Sequence, residues 1–205
     1  MIKIGITGSV ASGKSTVARL ISQNKYPIFN ADNAVKTLYK KRIFTKKIQK
    51  QFHFKNIRNL KNKIKNLIKK DKKILKKLEI ILHPLVRKEM GAFIKKKKNN
   101  KITIFEIPLL IESKLTRYFD FVVFVGAKKN IRLRRYVAKG GNKKIFTILE
   151  KRQKKPSKKI KISDHVIYNN MSIKKLKKNV KIILNKILLN VRSNTRYRNN
   201  RFIDG

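Results

Sequence analysis

The sequence predicts a doubly wound, three-layer α/β/α fold: a parallel sheet covered on both faces by helices. Three observations carry this. The chain opens on an apolar run, "IKIGIT", that meets the glycine-rich stretch "GSVASGKS" and then a helical pattern. Two later runs, "KITIFEIPLL" and "DFVVFVG", are apolar almost without interruption and rich in Val, Ile and Phe, as strands buried on both faces require. Strand-like and helix-like segments alternate from end to end, which argues for right-handed crossovers within one layered sandwich.

Taken in order, residues 2–7 read as a strand, and "STVARLISQN" spaces Val17, Leu20 and Ile21 as one face of a helix. "YPIFNAD" reads as a second short strand with Pro27 at its start, followed by a helix over about residues 31–41. Residues 42–73 are too basic and interrupted for a definite assignment and are expected to be helix and loop. Leu75, Leu78, Ile81, Leu82 and Leu85 resume helical spacing. Pro84 lacks the amide a helix needs, so it kinks that helix or opens a new one. The runs ending in "IPLL" and "FVVFVG" are expected to be two central parallel strands. Residues 129–138 look helical, "KGGN" at 139–142 breaks the pattern as a flap would, and helix resumes near 143–153. "HVIYN" is a last strand. Ile173, Leu176, Val180, Ile183, Leu184, Ile187 and Leu188 then trace one face of a closing helix, and residues 191–205 read as a basic tail.

At 205 residues the chain suits one domain with a full core. There is no run of eighteen apolar residues, no visible secretory signal and no cysteine, so a protein of the reducing cytoplasm without a membrane span is expected. The net charge is +46, from 56 basic and 10 acidic residues. Such a field attracts polyanions and strains the compact state by self-repulsion. The 43 lysines, 29 isoleucines and 19 asparagines all have adenine- and thymine-rich codons, so much of the charge is read as genome bias, with only a local subset serving a ligand.

One lysine has a dictated position. Gly8, four residues, Gly13, Lys14 and Ser15 satisfy the phosphate-binding-loop pattern between a strand and a helix. Gly8, Ser9, Val10, Ala11, Ser12, Gly13, Lys14, Ser15 and Thr16 are therefore expected to bind ATP. Inward amides and the helix N-terminus would cradle its phosphates, Lys14 would bridge the β and γ phosphates, and the Ser15 hydroxyl would join the shell of Mg²⁺. The competing reading is a glycine turn with a surface lysine. No Asn-Lys-x-Asp sequence that would read guanine follows a later strand.

Several further segments, in order and at suitable distances, resemble the dephospho-coenzyme A kinase family, whose members phosphorylate the ribose 3′-hydroxyl of dephospho-coenzyme A. They are "GITGSVASGKSTVARL", "FNADNAV", "LEIILHPLVRKEM", "FEIPLLIES", "FVVFV", "NIRLRRYVAKGG", "ILEKRQ" and "SDHVIYNN", spanning about residues 1–190. The resemblance implies a P-loop kinase core, a helical acceptor-binding subdomain near 42–98 and a lid near 130–160. It implies Asp32 as the catalytic carboxylate, which competes with a plain helix cap at that position. Asn30 stands where the family usually has an acid. His83 and Arg87 are implied at the acceptor, against local packing or capping. Leu109 and Leu110 are implied in its pocket, against plain core, and Glu106 as an outer carboxylate near Mg²⁺. Arg135, Lys139 and Arg152 fall on the lid, with Arg135 expected to stabilise the transferring charge; Lys139 and Gly140 depart from the arginine and acid usual there. Asn169 sits on the adenine-side loop, against a turn role.

The expected partners are ATP and dephospho-coenzyme A, with no specific nucleic acid and no membrane, and the chain is expected to be a monomer. The nearest rival is another small-molecule or nucleoside kinase of the same class. A nucleic-acid-stimulated NTPase is the alternative that the charge invites, although no RNA-recognition octapeptide is found.

Overall fold

The computed structural model describes residues 1–193 apart from 72. Five parallel strands form one sheet: β1 (Ile2–Gly8), β2 (Ile28–Asn30), β3 (Ile102–Glu106), β4 (Phe121–Gly126) and β5 (His165–Tyr168), in the order β2-β3-β1-β4-β5. The expected pair of central strands is thus split by β1, which lies between β3 and β4. This puts the C-terminal end of β1, and the loop that follows it, in the middle of the sheet's edge. In open parallel sheets ligands bind at that end, where crossovers on either side diverge.

The pleat sorts β1 between two cores. Ile2, Ile4 and Ile6 join Val17, Ile21, Leu176, Val180 and Ile187, so α1 (Lys14–Ser22) and α9 (Ile173–Ser193) cover one face. On the other face Gly5 has no side chain because Leu110 and Phe119 press there: a Cβ would lie 2.7 Å from Leu110 Cδ1. Leu110 and Phe119 belong to the second core, with Phe29, Met90 and Phe105.

A third cluster, including Leu38, Phe44, Ile48, Leu60, Ile64, Leu78 and Leu85, unites α2 (Ala31–Leu38), α3 (Arg42–Gln51), α4 (Leu60–Lys70) and α5 (Lys73–Lys96). Here lie the residues whose pattern the sequence left unresolved. Each of α3 and α4 buries one short apolar stripe, Phe44 and Ile48 or Leu60 and Ile64, among lysines and other polar residues. Pro84 neither opens nor ends α5, which runs through it. Beyond β4 come α6 (Lys129–Val137), α7 (Lys143–Lys151) and a further helix not anticipated from the sequence, α8 (Pro156–Ile162), with Pro156 in its first turn, where a missing amide costs nothing. Helix α9 carries through residues 191–193, where the tail was expected to begin; the rest of that tail lies outside the described residues. No helix among the described residues is long and apolar enough to cross a membrane.

Candidate active site

The loop between β1 and α1 takes a shape that only its glycines allow. A Cβ on Gly8 would lie 2.2 Å from the Val125 carbonyl oxygen; Gly13 has φ 96°, and its Cβ would meet Asn169 Nδ2 at 2.3 Å. The loop's carbonyls are engaged by donors around it. Ser9 O accepts from Lys14 Nζ at 2.9 Å, Val10 O from an Arg132 guanidinium nitrogen at 3.3 Å, and Ser12 O from Asn169 Nδ2 at 2.9 Å. Gly8 O accepts from Lys14 Nζ at 3.3 Å and from Gln153 Nε2 at 3.4 Å. With these four carbonyls engaged, amides of the loop are left to offer to an anion, beside the positive end of α1.

Lys14 is 9% exposed, and burial outweighs the attraction of Glu106 and Asp32, so its ammonium pKa is pushed down to about 8. One helical position on, Ser15 Oγ donates to Glu106 Oε1 at 2.5 Å, and Asn30 Nδ2 donates to Glu106 Oε2 at 2.7 Å. Asn30 also caps α2, its Oδ1 accepting from the Asn33 amide at 2.8 Å. The cap reading for Asp32 is therefore displaced: Asn30 holds that place, and Asp32 stands in the first turn with its carboxylate free of hydrogen bonds and ion pairs. Each of the other described acids has such a partner. Desolvation raises the Asp32 pKa, with Glu106 adding to the rise and Lys14 opposing it.

Two cavities meet at this carboxylate. The larger, about 720 Å³, is lined by Val10, Ala11, Gly13, Lys14, Ser15 and Thr16 of the loop, together with Glu106, Arg135, Lys139 and Asn169. Gly8, Ser9 and Ser12 of the loop are not part of that lining. The smaller, about 320 Å³ and mostly apolar, is lined by His83, Arg87 and Leu109 among others. Asp32, Pro108, Leu109 and Arg152 border both. Leu110 borders neither: it is fully buried in the core against Gly5 and Phe119, so its place in an acceptor pocket is corrected to packing. Arg135 reaches across to Asn169, donating to its backbone oxygen at 3.0 Å, and Arg152 pairs with Glu79 of α5. Gly140, with φ 79°, terminates the turn after α6.

Other residues here carried no readable signal in the sequence. Arg132 (4% exposed) sits among exposed basic residues of α6, and Gln153 follows α7. Lys159 of α8 is wholly buried, paired with Glu112 at 2.9 Å and donating to Pro108 O at 3.4 Å. One lysine among 43 cannot be recognised as buried when no apolar periodicity surrounds it.

The site can be set beside known proteins. The model of a family described as dephospho-CoA kinase matches residues 2–175. The chain is 35% identical over 190 residues to the dephospho-CoA kinase of Rickettsia typhi, covering 90% of this chain and 97% of that one. Among solved structures, a Thermus thermophilus protein aligns with a TM-score of 0.73 at 29% identity, over 91% of this chain and 97% of that one. A dephospho-CoA kinase from Campylobacter jejuni gives 0.66 at 23% identity, over 92% and 98%, a likeness of fold.

Proposed function

The chain belongs to the dephospho-CoA kinase family and carries out ATP-dependent phosphorylation of the ribose 3′-hydroxyl of dephospho-CoA, and we propose that Asp32, at the junction of the two cavities, is the group on which transfer turns. The observation that carries this is its free carboxylate. In a chain with ten acids, the one described acid left without a hydrogen bond or ion pair faces both cavities.

On this reading ATP occupies the larger cavity, its phosphates on the loop amides and Lys14 and its base toward Asn169. Dephospho-CoA occupies the smaller one, with His83 and Arg87 beside its charged groups and Leu109 against its apolar parts. Asp32 accepts the hydrogen bond of the 3′-hydroxyl and takes its proton as the oxygen attacks the γ-phosphorus in line. The new phosphorus–oxygen bond forms as the bond to the β–γ bridging oxygen breaks, and ADP leaves. Lys14 and Arg135 stabilise the charge on the transferring group. Ser15 Oγ and the Glu106 carboxylate, with Asp32 nearby, are hard oxygen donors suited to Mg²⁺, which is typically held by one or two carboxylates plus substrate phosphates and water. Bound there, Mg²⁺ would neutralise phosphate charge. Both cavities are lined by one chain, so a monomer suffices, and a cysteine-free composition suits the cytoplasm.

The test is an acceptor screen. Incubated with ATP and Mg²⁺, the protein should form ADP and coenzyme A in equal amounts when dephospho-CoA is present, and little ADP with nucleosides, shikimate or RNA. ATP turnover driven by RNA or a nucleoside but not by dephospho-CoA would overturn the assignment.

A further inference from the structure

We propose that Arg132 is a positioning residue for the triphosphate: it fixes the Val10–Ala11 peptide so that the phosphate loop presents an amide, and not a carbonyl, to ATP. It borders neither cavity, so it acts through the loop. The inference rests on the reading of the larger cavity as the ATP site.

The guanidinium is buried and works in three directions at once. Its Nε donates to Ala127 O at 2.9 Å, just beyond β4; one terminal nitrogen donates to Val10 O at 3.3 Å; the other donates to Glu150 Oε1 of α7 at 2.5 Å. The plane lies over the Phe146 ring at 5.5 Å. A rigid fork of donors is what three acceptors in different directions require, and the Glu150 carboxylate compensates a charge that would otherwise be costly to bury.

The consequence for the loop follows from peptide geometry. In a planar trans peptide the C=O and N–H point opposite ways, so drawing the Val10 carbonyl toward Arg132, away from the cavity, turns the Ala11 N–H toward it. Ala11 needs that restraint, because its φ of 55° is a left-handed conformation that a residue with a Cβ adopts at a cost. Without Arg132 the peptide is free to rotate, and rotation would set a carbonyl oxygen against phosphate oxygens. Because Glu150 lies on α7, the same side chain ties the loop to the lid region.

The experiment measures equilibrium binding of ATP, ADP and AMP by calorimetry, with KM for dephospho-CoA alongside. Arg132→Lys keeps the charge but loses the planar fork. It should weaken ATP and ADP about tenfold while AMP, with a single phosphate, and the acceptor KM shift by about twofold or less. If Arg132→Lys does not fold, Glu150→Gln should show the same selectivity at about threefold, because it removes the charge that orients the guanidinium. Equal weakening of ATP and AMP, or unchanged ATP binding in a folded Arg132→Lys protein, overturns the proposal. The binding series needs no turnover, so failure of the acceptor assignment would not be mistaken for failure of this one.

Discussion

Lys14 is held where it is least comfortable. Its ammonium sits at about 8 in the free protein against 10.5 in an unfolded chain, chiefly through desolvation. A base whose pKa is depressed by folding costs stability: the full penalty applies below pH 8, and it is relieved between 8 and 10.5 as the folded state sheds its proton first. That penalty is about 3 kcal/mol. Lys14→Met should therefore lower phosphoryl transfer by several orders of magnitude yet melt higher at pH 7, with the gap closing toward pH 10; Gly8 O and Ser9 O each retain another donor. Equal or lower melting with intact folding would sink the desolvation argument. If ATP binds the charged form, as proposed, kcat/KM for ATP should fall as pH rises through about 8, while kcat should hold to higher pH because bound phosphates would restore the ammonium. Asp32→Asn removes the carboxylate from a position that Asn30 already caps, so kcat should fall sharply with little change in melting temperature. A loss of stability with kcat intact would return Asp32 to a structural role. The raised Asp32 pKa predicts an acid limb of activity above the ordinary carboxylate range, absent from the Asn variant's residual rate.

At the level of elements, α5 shows how a local rule is kept while its expected outcome changes. Pro84 removes one amide from the ladder, yet the helix runs on because Leu78, Leu85 and Met90 are anchored in two cores on either side of it. His83 precedes the break and Arg87 follows it, and both line the smaller cavity. The break is thus placed where it can shape that wall. Pro84→Ala restores the amide and removes the ring's clash, against a smaller loss from a freer unfolded chain; a net gain of about 1–2 kcal/mol is expected. If the break shapes the wall, KM for dephospho-CoA should rise in the same variant while KM for ATP stays put. An unchanged acceptor KM would show that the helix tolerates Pro84 without using it.

Across the whole molecule, the +46 charge and the scarcity of acids set how the parts are joined. Four of the described glutamates bind basic side chains across elements: Glu89 with Lys41, Glu79 with Arg152, Glu150 with Arg132 and Lys129, and Glu112 with Lys159. These acids sit at joints between elements, and most of the remaining described lysines, Lys14 apart, reach solvent. Such a surface should bind RNA weakly, without sequence preference and with steep salt dependence from counterion release. On the proposed assignment ATP and dephospho-CoA bind in shaped cavities where screening is weaker, so transfer should persist at salt concentrations that abolish RNA association. Assayed in parallel across a salt series, the two activities should separate; RNA that stimulates ATP turnover would show the charge to be functional.

The sequence by itself determined the sheet, the phosphate loop and the family, because each is written locally. Alternating or continuous apolar runs specify strands, and Gly8, Gly13, Lys14 and Ser15 are fixed by the conformation and chemistry of one short turn. Residues 42–73 are helix and loop, as expected, but the bounds of their helices escaped it because each buries a stripe too short to stand out among lysines. Only the tertiary structure decided which polar residues matter to one another. It gave the cap of α2 to Asn30 and left Asp32 free, sent Leu110 to the core and Leu109 to the cavities, and buried Arg132 and Lys159 out of 56 basic residues that look alike. The physical reason is that a charge becomes costly, and therefore specific, only where the fold removes its water, and the groups that compensate it come from elements far away in the chain.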